Sequence, residues 1–217
     1  MSRKSYPVRI PRYAAGIRAQ ESRTGSGRSW WAKAWAQRLE AMGLQGRLGR
    51  GKNYAVPGQV VSMEIEGSRV RAAVQGSREN PYEVTIVFRA PEDESRMRII
   101  RAIRREPMLV ARLLADDLPM EIELIFRAEG YDLFPGGKLA PGKYDMTTKC
   151  SCPDYANPCK HTAASLLILG EEIARRPMTL LELRGISMED LCDENCKSGP
   201  EASRSRAVLA RDGQVPR

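Results

Sequence analysis

Residues 150–161 contain three of the chain's five cysteines and its only histidine, in the order C-S-C-P-D-Y-A-N-P-C-K-H. Cys150 and Cys152 are two residues apart, so in an extended chain both side chains leave the same face and their sulfur atoms can approach each other. A loop rich in turn-forming residues can then bring Cys159 and His161 back to the same point. Three thiolates and one imidazole in the pattern C-x-C-x6-C-x-H are suitable ligands for tetrahedral zinc.

The alternatives to a zinc site are four unrelated side chains or a disulfide. Three thiols cannot all pair with one another, and a tight loop that also places the only histidine beside the last thiol is not expected by chance. Zinc held by four protein ligands has no position left for water or substrate, which distinguishes a structural from a catalytic site. We therefore predict that structural Zn²⁺ folds this module. The predicted ligands are Cys150, Cys152, Cys159 and His161.

The one-residue gaps between the ligands differ from the gaps of two to four residues in many other zinc fingers. With these gaps and the run A-N-P-C-K-H-T-A-A-S-L-L, the chain resembles the SWIM zinc finger family, whose motif is C-x-C, a variable gap and C-x-H. Three upstream runs, W-W-A-K-A-W, R-L-G-R-G-K-N-Y-A and V-Q-G-S-R-x-x-P-Y, are similar to the N-terminal region of free-standing prokaryotic SWIM proteins. The resemblance extends over most of residues 29–186.

This resemblance implies a module that binds nucleic acid or protein. It also implies a partner, because the free-standing prokaryotic members are associated with SWI/SNF-type helicase ATPases. The sequence has no G-x-x-x-x-G-K-[ST] phosphate-binding loop. We therefore expect the chain to assist such an ATPase and not to be the ATPase itself.

The residues around the ligands predict a strand, a loop and a helix. Residues 144–151 include strand-forming threonines and lead into the first two cysteines. After His161, apolar residues recur with a helical period, and Pro177 lies beyond the helix end. Lys149 and Lys160 flank the ligands, where they either balance the negative charge of the site or reach phosphate.

The net charge of +8 is concentrated in the first part of the chain. Residues 1–60 hold twelve basic and two acidic residues, giving +10, whereas the other 157 hold 23 basic and 25 acidic residues, giving −2. This asymmetry indicates an anionic partner, most commonly nucleic acid, and the alternative is a role in solubility alone. No apolar run approaches the ~20 residues of a membrane span, and the N-terminus lacks a signal-peptide core. We expect a cytoplasmic protein, in which thiols stay reduced.

A second candidate site is the basic run R-L-G-R-G-K-N-Y at residues 47–54. Its glycines would let backbone N–H groups approach phosphate, its cations would supply charge, and its tyrosine could stack on a base. The alternative is a solvated loop that leads into a strand. Together with the two lysines beside the metal ligands, the candidate nucleic-acid contacts are Arg47, Arg50, Lys52, Tyr54, Lys149 and Lys160, and DNA is favoured over RNA.

The remaining patterns predict an α+β fold: a small unit of one helix and an antiparallel sheet, a helical connector and a C-terminal strand-loop-helix finger. Three tryptophans at helical spacing follow Ser29, a candidate N-cap, and favour a core role over base stacking. Residues 60–88 alternate as a three-stranded meander. In its first strand the apolar residues Val61, Met63 and Ile65 alternate, a pattern typical of side chains on the core face.

Helical patterns at residues 97–104, 109–114 and 120–128 predict the connector. Cys192 and Cys196 have the spacing C-x3-C, but a second metal site would need further ligands, so a helix with two thiols is the default. The predicted segments are a flexible basic arm (1–28), an N-terminal α+β unit (29–90), a helical connector (91–142), a SWIM zinc finger (143–186) and a mostly disordered tail (187–217).

Three functions fit these observations. The first is a zinc-stabilised module that binds nucleic acid, expected to be DNA, beside a SWI/SNF-type helicase ATPase. The second is a protein–protein adaptor without nucleic-acid contact. The third is a nuclease or a transposase accessory, which the sequence disfavours because its only histidine is a predicted ligand and no nucleophile motif is present. We predict a binding protein and not an enzyme.

Overall fold

The computed structural model describes residues 10–20, 29–136, 138–140, 143–154, 156–192 and 207–209. Its sheets are built from short antiparallel strands separated by turns. The strands are β1 (Val60–Glu66), β2 (Arg69–Val74), β3 (Tyr82–Phe88), β4 (Lys138–Ala140), β5 (Lys143–Tyr144), β6 (Met146–Cys150) and β7 (Ala207–Leu209). The helices are α1 (Trp30–Ala41), α2 (Gln45–Ala55), α3 (Asp93–Arg104), α4 (Pro107–Leu114), α5 (Met120–Ala128), α6 (Lys160–Arg175), α7 (Met178–Leu183) and α8 (Met188–Leu191).

Five of these strands form one sheet in the order β6-β3-β2-β1-β7, and β4 and β5 form a separate hairpin. The α+β fold is therefore confirmed, and the strand of the predicted finger, β6, pairs directly with β3 of the meander. Antiparallel sheets commonly bury one face and leave the other in solvent, and the meander strands here alternate buried and exposed residues in that way. The finger and the N-terminal unit thus share a sheet and a core.

The first strand differs from its predicted pattern. A register shift between Val60 and Ser62 interrupts the pairing of β1 with β2. Such a bulge adds a residue to one strand and changes which side chains face the core. Val60 is buried and Val61 is 38% exposed, so the prediction that Val61 faces the core is wrong, whereas Met63 and Ile65 do face it.

Helix α6 lies at the centre of the core. It contacts β1, β2, β3 and β6 of the sheet as well as α1 and α2. Trp31 Nε1 donates a hydrogen bond to the carbonyl of Ile173, and Trp35 Nε1 donates to that of Leu166. A Cβ atom at Gly170 would lie 2.6 Å from Trp35 Nε1, so glycine there lets the indole rest on the helix. The predicted core role of the tryptophans is confirmed, although the side chain of Ser29 does not cap α1.

The basic run at residues 47–54 is helical and not a phosphate-binding loop, because it forms most of α2. Helix α2 packs closely on α6. A Cβ atom at Gly51 would lie 2.9 Å from the carbonyl carbon and from the Cβ atom of Ala163. The glycine at this position therefore allows two helices to approach, which overrides the poor helix propensity of a glycine-rich run.

The part of the predicted flexible arm that the structure describes is attached to the sheet. Ile17 forms a bridge with Val60, and the backbone N–H of Ala19 donates to the carbonyl of Ala55. For residues 10–20 the expectation of a free arm is therefore wrong. The rest of the predicted arm, residues 1–9 and 21–28, lies outside the described residues.

The predicted tail also contains regular structure. Helix α8 starts with a capping box, in which the Ser187 hydroxyl accepts from the Asp190 N–H and the Asp190 carboxylate accepts from the Ser187 N–H. Strand β7 pairs with Met63–Ile65 of β1. Cys192 follows α8 and is half-buried. Cys196 and the rest of the tail lie outside the described residues.

The predicted helices of the connector are confirmed as α3, α4 and α5. Pro107, predicted to end the first of them, also starts α4, where its missing N–H costs nothing. Within the described ranges, no helix has both the length and the apolar character that crossing a bilayer requires.

A buried ion pair fixes the start of β6. The Arg184 guanidinium donates to Asp145 at 2.6 Å, to the carbonyl of Leu133 at 3.1 Å and to the carbonyl of Arg89 at 2.8 Å. The second carboxylate oxygen of Asp145 accepts from the Gly136 N–H at 2.8 Å. Because each charged group has several partners, the pair satisfies the hydrogen bonding that a buried ion pair needs.

Substitutions of two glycines in α2 test the packing of this helix on α6. Gly51→Ala is expected to destabilise the protein by about 1–3 kcal/mol, because the added methyl group meets the backbone of α6. Gly49→Ala is the matched control: nothing described lies within 4 Å of its Cβ position, so alanine should stabilise the helix by about 0.5–1 kcal/mol. Urea unfolding of the zinc-loaded variants measures both, and shifts in the same direction would contradict this packing.

Candidate metal centre

The four predicted ligands come from the end of one strand and the start of one helix. Cys150 is the last residue of β6, and Cys152 follows two residues later. Cys159 occupies the N-cap position of α6, and His161 lies in its first turn. Ser151 continues the pairing with β3, since its N–H donates to the carbonyl of Glu83 and its hydroxyl accepts from the Glu83 N–H. The predicted strand, loop and helix are confirmed.

Asn157 holds the loop between the two ligand pairs against β6. Its side-chain Oδ1 accepts from the Thr148 hydroxyl at 2.6 Å, and its Nδ2 donates to the Thr148 carbonyl at 3.0 Å. The Asp154 carboxylate accepts from the Ala156 N–H, as in a typical Asx turn. The peptide bond between Asn157 and Pro158 is cis. These contacts place Cys159 beside the end of the strand.

The ligand atoms of the four side chains lie within 4.8 Å of one another. His161 Nδ1 lies 3.8 Å from Cys150 Sγ and 3.7 Å from Cys159 Sγ. In a tetrahedral site with Zn–S of ~2.3 Å and Zn–N of ~2.0 Å, neighbouring ligand atoms are about 3.5–3.8 Å apart. The residues therefore fit zinc, which they would hold through three sulfur atoms and Nδ1 of the histidine. Four protein ligands make this a structural zinc site.

The thiol groups are too close together to be ionised at the same time without a cation. A hydrogen bond from the Cys150 thiol lowers the pKa of Cys159 to about 2. The same hydrogen bond, together with burial, raises the pKa of Cys150, and burial raises the pKa of Cys152. The Thr162 hydroxyl lies 3.5 Å from Cys159 Sγ and offers it a further hydrogen bond. One thiolate is thus stable in the cluster alone, and three require the charge of a metal ion.

Aromatic rings outside the finger hold the imidazole of His161. The ring of Tyr54, from α2, meets it edge-on at 5.0 Å, and the ring of Tyr82, from β3, lies against it at 4.6 Å. A Cβ atom at Gly76 would lie 2.4 Å from the Tyr82 ring, so only glycine leaves room for that ring. Metal-binding histidines usually donate their second N–H to an oxygen. Here Nε2 is buried without such a partner among the described atoms, and aromatic contacts orient the ring instead.

The structure brings part of the predicted nucleic-acid set next to the finger. Arg47 donates from Nη1 to the carbonyl of Asn157, and Lys160 lies with Nζ 5.0 Å from the centre of the Tyr54 ring. Tyr54 itself is only 6% exposed, so the prediction that it stacks on a base is wrong. Its hydroxyphenyl ring is used to position a metal ligand.

The other three candidates are exposed but do not share one surface. Arg50 and Lys52 lie on the solvent side of α2. Lys149 pairs across the sheet with Thr85, whereas its neighbour Cys150 pairs with Val84, which is buried. Because successive side chains in a strand point to opposite faces, Lys149 lies on the outer face of the sheet, away from the buried helices.

Sequence reasoning missed the residues that support the ligands from other elements. Tyr82, Gly76 and Asn157 have no chemistry that marks them as part of a metal site. The run V-Q-G-S-R-x-x-P-Y, which contains Gly76 and Tyr82, is visible in the sequence only as a resemblance. Tyr82 in this run contacts a histidine about 80 residues later in the chain. The local pattern of residues does not reveal such a distant contact.

Substitution of one ligand tests the metal site. We expect Cys159→Ser to lose its zinc and to leave the finger unfolded, because metal binding contributes on the order of 10 kcal/mol to such modules. Cys192→Ser is the matched control, since this cysteine lies outside the cluster and should leave about one zinc per chain. Metal analysis of fresh, reduced protein measures both, and less than about half an equivalent in the unaltered protein would contradict the site.

Zinc binding should depend steeply on pH. Without metal the finger is expected to be unfolded, so its three ligand cysteines are ordinary thiols that are mostly protonated near neutrality. Binding then releases up to about three protons, and the apparent affinity rises up to about 1,000-fold for each pH unit. Calorimetry in two buffers with different ionisation enthalpies counts the protons. Binding without proton release would show that the thiols are already ionised.

Comparisons with known proteins agree with this geometry. The SWIM zinc finger family matches residues 143–170. Over 185 residues the chain is 37% identical to uncharacterized protein Rv2102 of Mycobacterium tuberculosis (strain ATCC 25618 / H37Rv), and the match covers 85% of this chain but only 65% of the length of that protein. No solved structure matches the chain. The match to the family includes all four clustered ligands, and the chain therefore carries a SWIM zinc finger.

Proposed function

We propose that the protein is a zinc-stabilised module that binds nucleic acid, with DNA as the expected ligand, and that it contacts phosphates through the end of the sheet that holds the metal. This zinc end is where β1 and β3 begin and where β2 and β6 end. The start of α6 and the α2 residues Arg47 and Tyr54 lie against it.

Basic side chains surround the zinc end from several elements. Within the described part of the chain, none of them forms an ion pair with a carboxylate. Helix α2 contributes three of them and contains no acidic residue. Nearby carboxylates, those of Glu79, Glu83 and Asp154, offset the charge only in part. The basic residues are Arg12, Arg18, Arg47, Arg50, Lys52, Arg78 and Lys160.

Many arginines of the connector helices, in contrast, are paired. Arg98 contacts both Glu94 and Glu129 at 2.6 Å, and hydrogen bonding to Glu129 raises the pKa of Arg98. Arg112 contacts Asp117 at 2.6 Å, with the same effect on its pKa. Arg127 is paired with Glu123. Cations without a carboxylate partner remain available for phosphate, and this contrast is the observation that carries the proposal.

The proposed partner is a SWI/SNF-type helicase ATPase, in agreement with the resemblance to free-standing prokaryotic SWIM proteins. Exposed apolar side chains of the connector helices support a protein partner. Helix α4 exposes Met108 and Leu114, and α5 exposes Met120 and Leu124 one turn apart. Exposed apolar groups are often used in protein contacts. They also support the second candidate function, a protein adaptor that does not contact nucleic acid.

The proposal assigns binding and not catalysis to this chain. His161 is used by the metal site, whose four ligands leave no position for a reacting water molecule. A cytoplasmic location, which the proposal includes, would keep the cysteines reduced and able to bind zinc.

A salt titration of binding to a labelled DNA duplex tests the phosphate contacts. We expect log K to fall linearly with log salt concentration. The variant Arg50→Gln/Lys52→Gln should reduce this slope by about 0.9 for each phosphate that the protein no longer neutralises. Its matched control is Lys33→Gln/Arg105→Gln, which removes the same charge from exposed positions in α1 and after α3 and should change the slope less.

The outcomes separate the two candidate functions. No measurable binding to duplex or single-stranded DNA at about 50 mM salt would favour the protein adaptor. Equal reductions of the slope in both double variants would show that net charge, and not the zinc end, determines binding. Zinc content and thermal unfolding must match the unaltered protein in each case, so that unfolding of a variant is not mistaken for weaker binding to DNA.

A further inference from the structure

Residues 10–20 cross the zinc end of the sheet with a fixed backbone. The N–H of Arg12 donates to the carbonyl of Gly76 at 2.9 Å, and the N–H of Gly16 donates to that of Gly58 at 2.9 Å. Ile17 and Ala19 add hydrogen bonds to Val60 and Ala55. A Cβ atom at Gly16 would lie 2.2 Å from the Val60 carbonyl oxygen, so glycine is required for this close approach. The segment is thus held on both sides of Tyr13.

Tyr13 projects from this fixed segment into solvent. Its side chain is 82% exposed, whereas the two tyrosines that contact His161, Tyr54 and Tyr82, are buried. The ring therefore does not contribute to the core, and its backbone is already ordered. An aromatic side chain on an ordered backbone loses little conformational entropy when it stacks on a ligand.

The segment that carries Tyr13 is basic, and it is hydrogen-bonded to the chain two residues before an open cavity. Arg12 and Arg18 lie on the same segment and are exposed. Gly76, which accepts the hydrogen bond from Arg12, lies two residues before Arg78. Arg78 begins the lining of a cavity of about 500 Å³, which is formed by residues 78–83 and Ser151. This volume is within the usual range of small-ligand sites.

We propose that Tyr13 stacks on an unpaired base of a single-stranded nucleic acid. Arg12, Arg18 and Arg78 contact its phosphates. The cavity receives a neighbouring base and not a phosphate, because the carboxylates of Glu79 and Glu83 line it and would repel an anion. This arrangement of cations and a stacking ring is typical of sites that bind single strands with little sequence preference. The inference rests on the proposed function and names the strand type that the zinc end recognises.

The test compares single-stranded and duplex DNA of the same mixed sequence, about 16 nucleotides long, with the full zinc-loaded chain. Fluorescence anisotropy measures binding by the unaltered protein, Tyr13→Ala, Tyr13→Phe and Ile10→Ala. Tyr13→Ala should weaken single-strand binding about 5- to 100-fold, and Tyr13→Phe should stay within about twofold because it keeps the ring. The salt slope of Tyr13→Ala should be unchanged, since the phosphate contacts remain.

Ile10→Ala is the matched control, because Ile10 is 78% exposed on the same segment but has no ring. It should bind the single strand as the unaltered protein does. The inference would be overturned if Tyr13→Ala bound the single strand as tightly as the unaltered protein, or if Ile10→Ala weakened binding as much as Tyr13→Ala. The proposed function would still stand in that case if duplex binding depended on Arg50 and Lys52. If the unaltered protein bound neither strand form, both would fail together.

Discussion

Coordination of one metal ion by the end of β6 and the start of α6 is the constraint on which the zinc end depends. Three cysteine sulfurs and one imidazole nitrogen lie within 4.8 Å of one another. Without a cation the thiols share a single negative charge, as the opposite pKa shifts of Cys150 and Cys159 indicate. The ion therefore joins an outer strand of the sheet to the helix at the centre of the core.

The finger is part of a larger folding unit. Strand β6 takes its backbone partners from β3, and the metal-binding histidine is packed between rings from α2 and β3. Helix α6 is in turn held by the indole groups of Trp31 and Trp35. The residues that match the family, 143–170, thus include the ligands but exclude the side chains that orient one of them. Excision of residues 143–170 would separate His161 from the two tyrosine rings that orient it.

The sequence was most informative where local spacing determines structure. The ligand pattern, the helix after His161 and the connector helices follow from periodicity and from residues that end helices. The sequence was misleading where a contact with a residue far away along the chain determines the local structure. The run at residues 47–54 is rich in glycine, which favours loops, yet it is helical. Close packing of α2 on α6 needs glycine at position 51, and this contact outweighs the poor helix propensity of the run. The expectation that Tyr54 stacks on a base is wrong for the same reason, since its contact with His161 spans more than 100 residues.

The bulge at Val61 and the attachment of residues 10–20 also depend on contacts that periodicity does not reveal. A bulge shifts the alternation by one position without changing the composition of the strand. The segment at residues 10–20 has two arginines and no apolar period, but backbone hydrogen bonds to the sheet do not depend on side-chain type. In both places a contact with a neighbouring element contributes to the structure, and the local side-chain pattern does not reveal that contact.

One further consequence concerns aggregation. Strand β6 is at one edge of the sheet. In its ladder with β3 the backbone hydrogen bonds are made by the residues on either side of Thr148, so the Thr148 carbonyl points away from β3. The Asn157 side chain covers that carbonyl from the loop between the ligands. Outer strands with unpaired backbone groups are templates for pairing between molecules. Loss of zinc would release this loop and expose the outer edge of β6. Bound zinc therefore also reduces self-association through this strand.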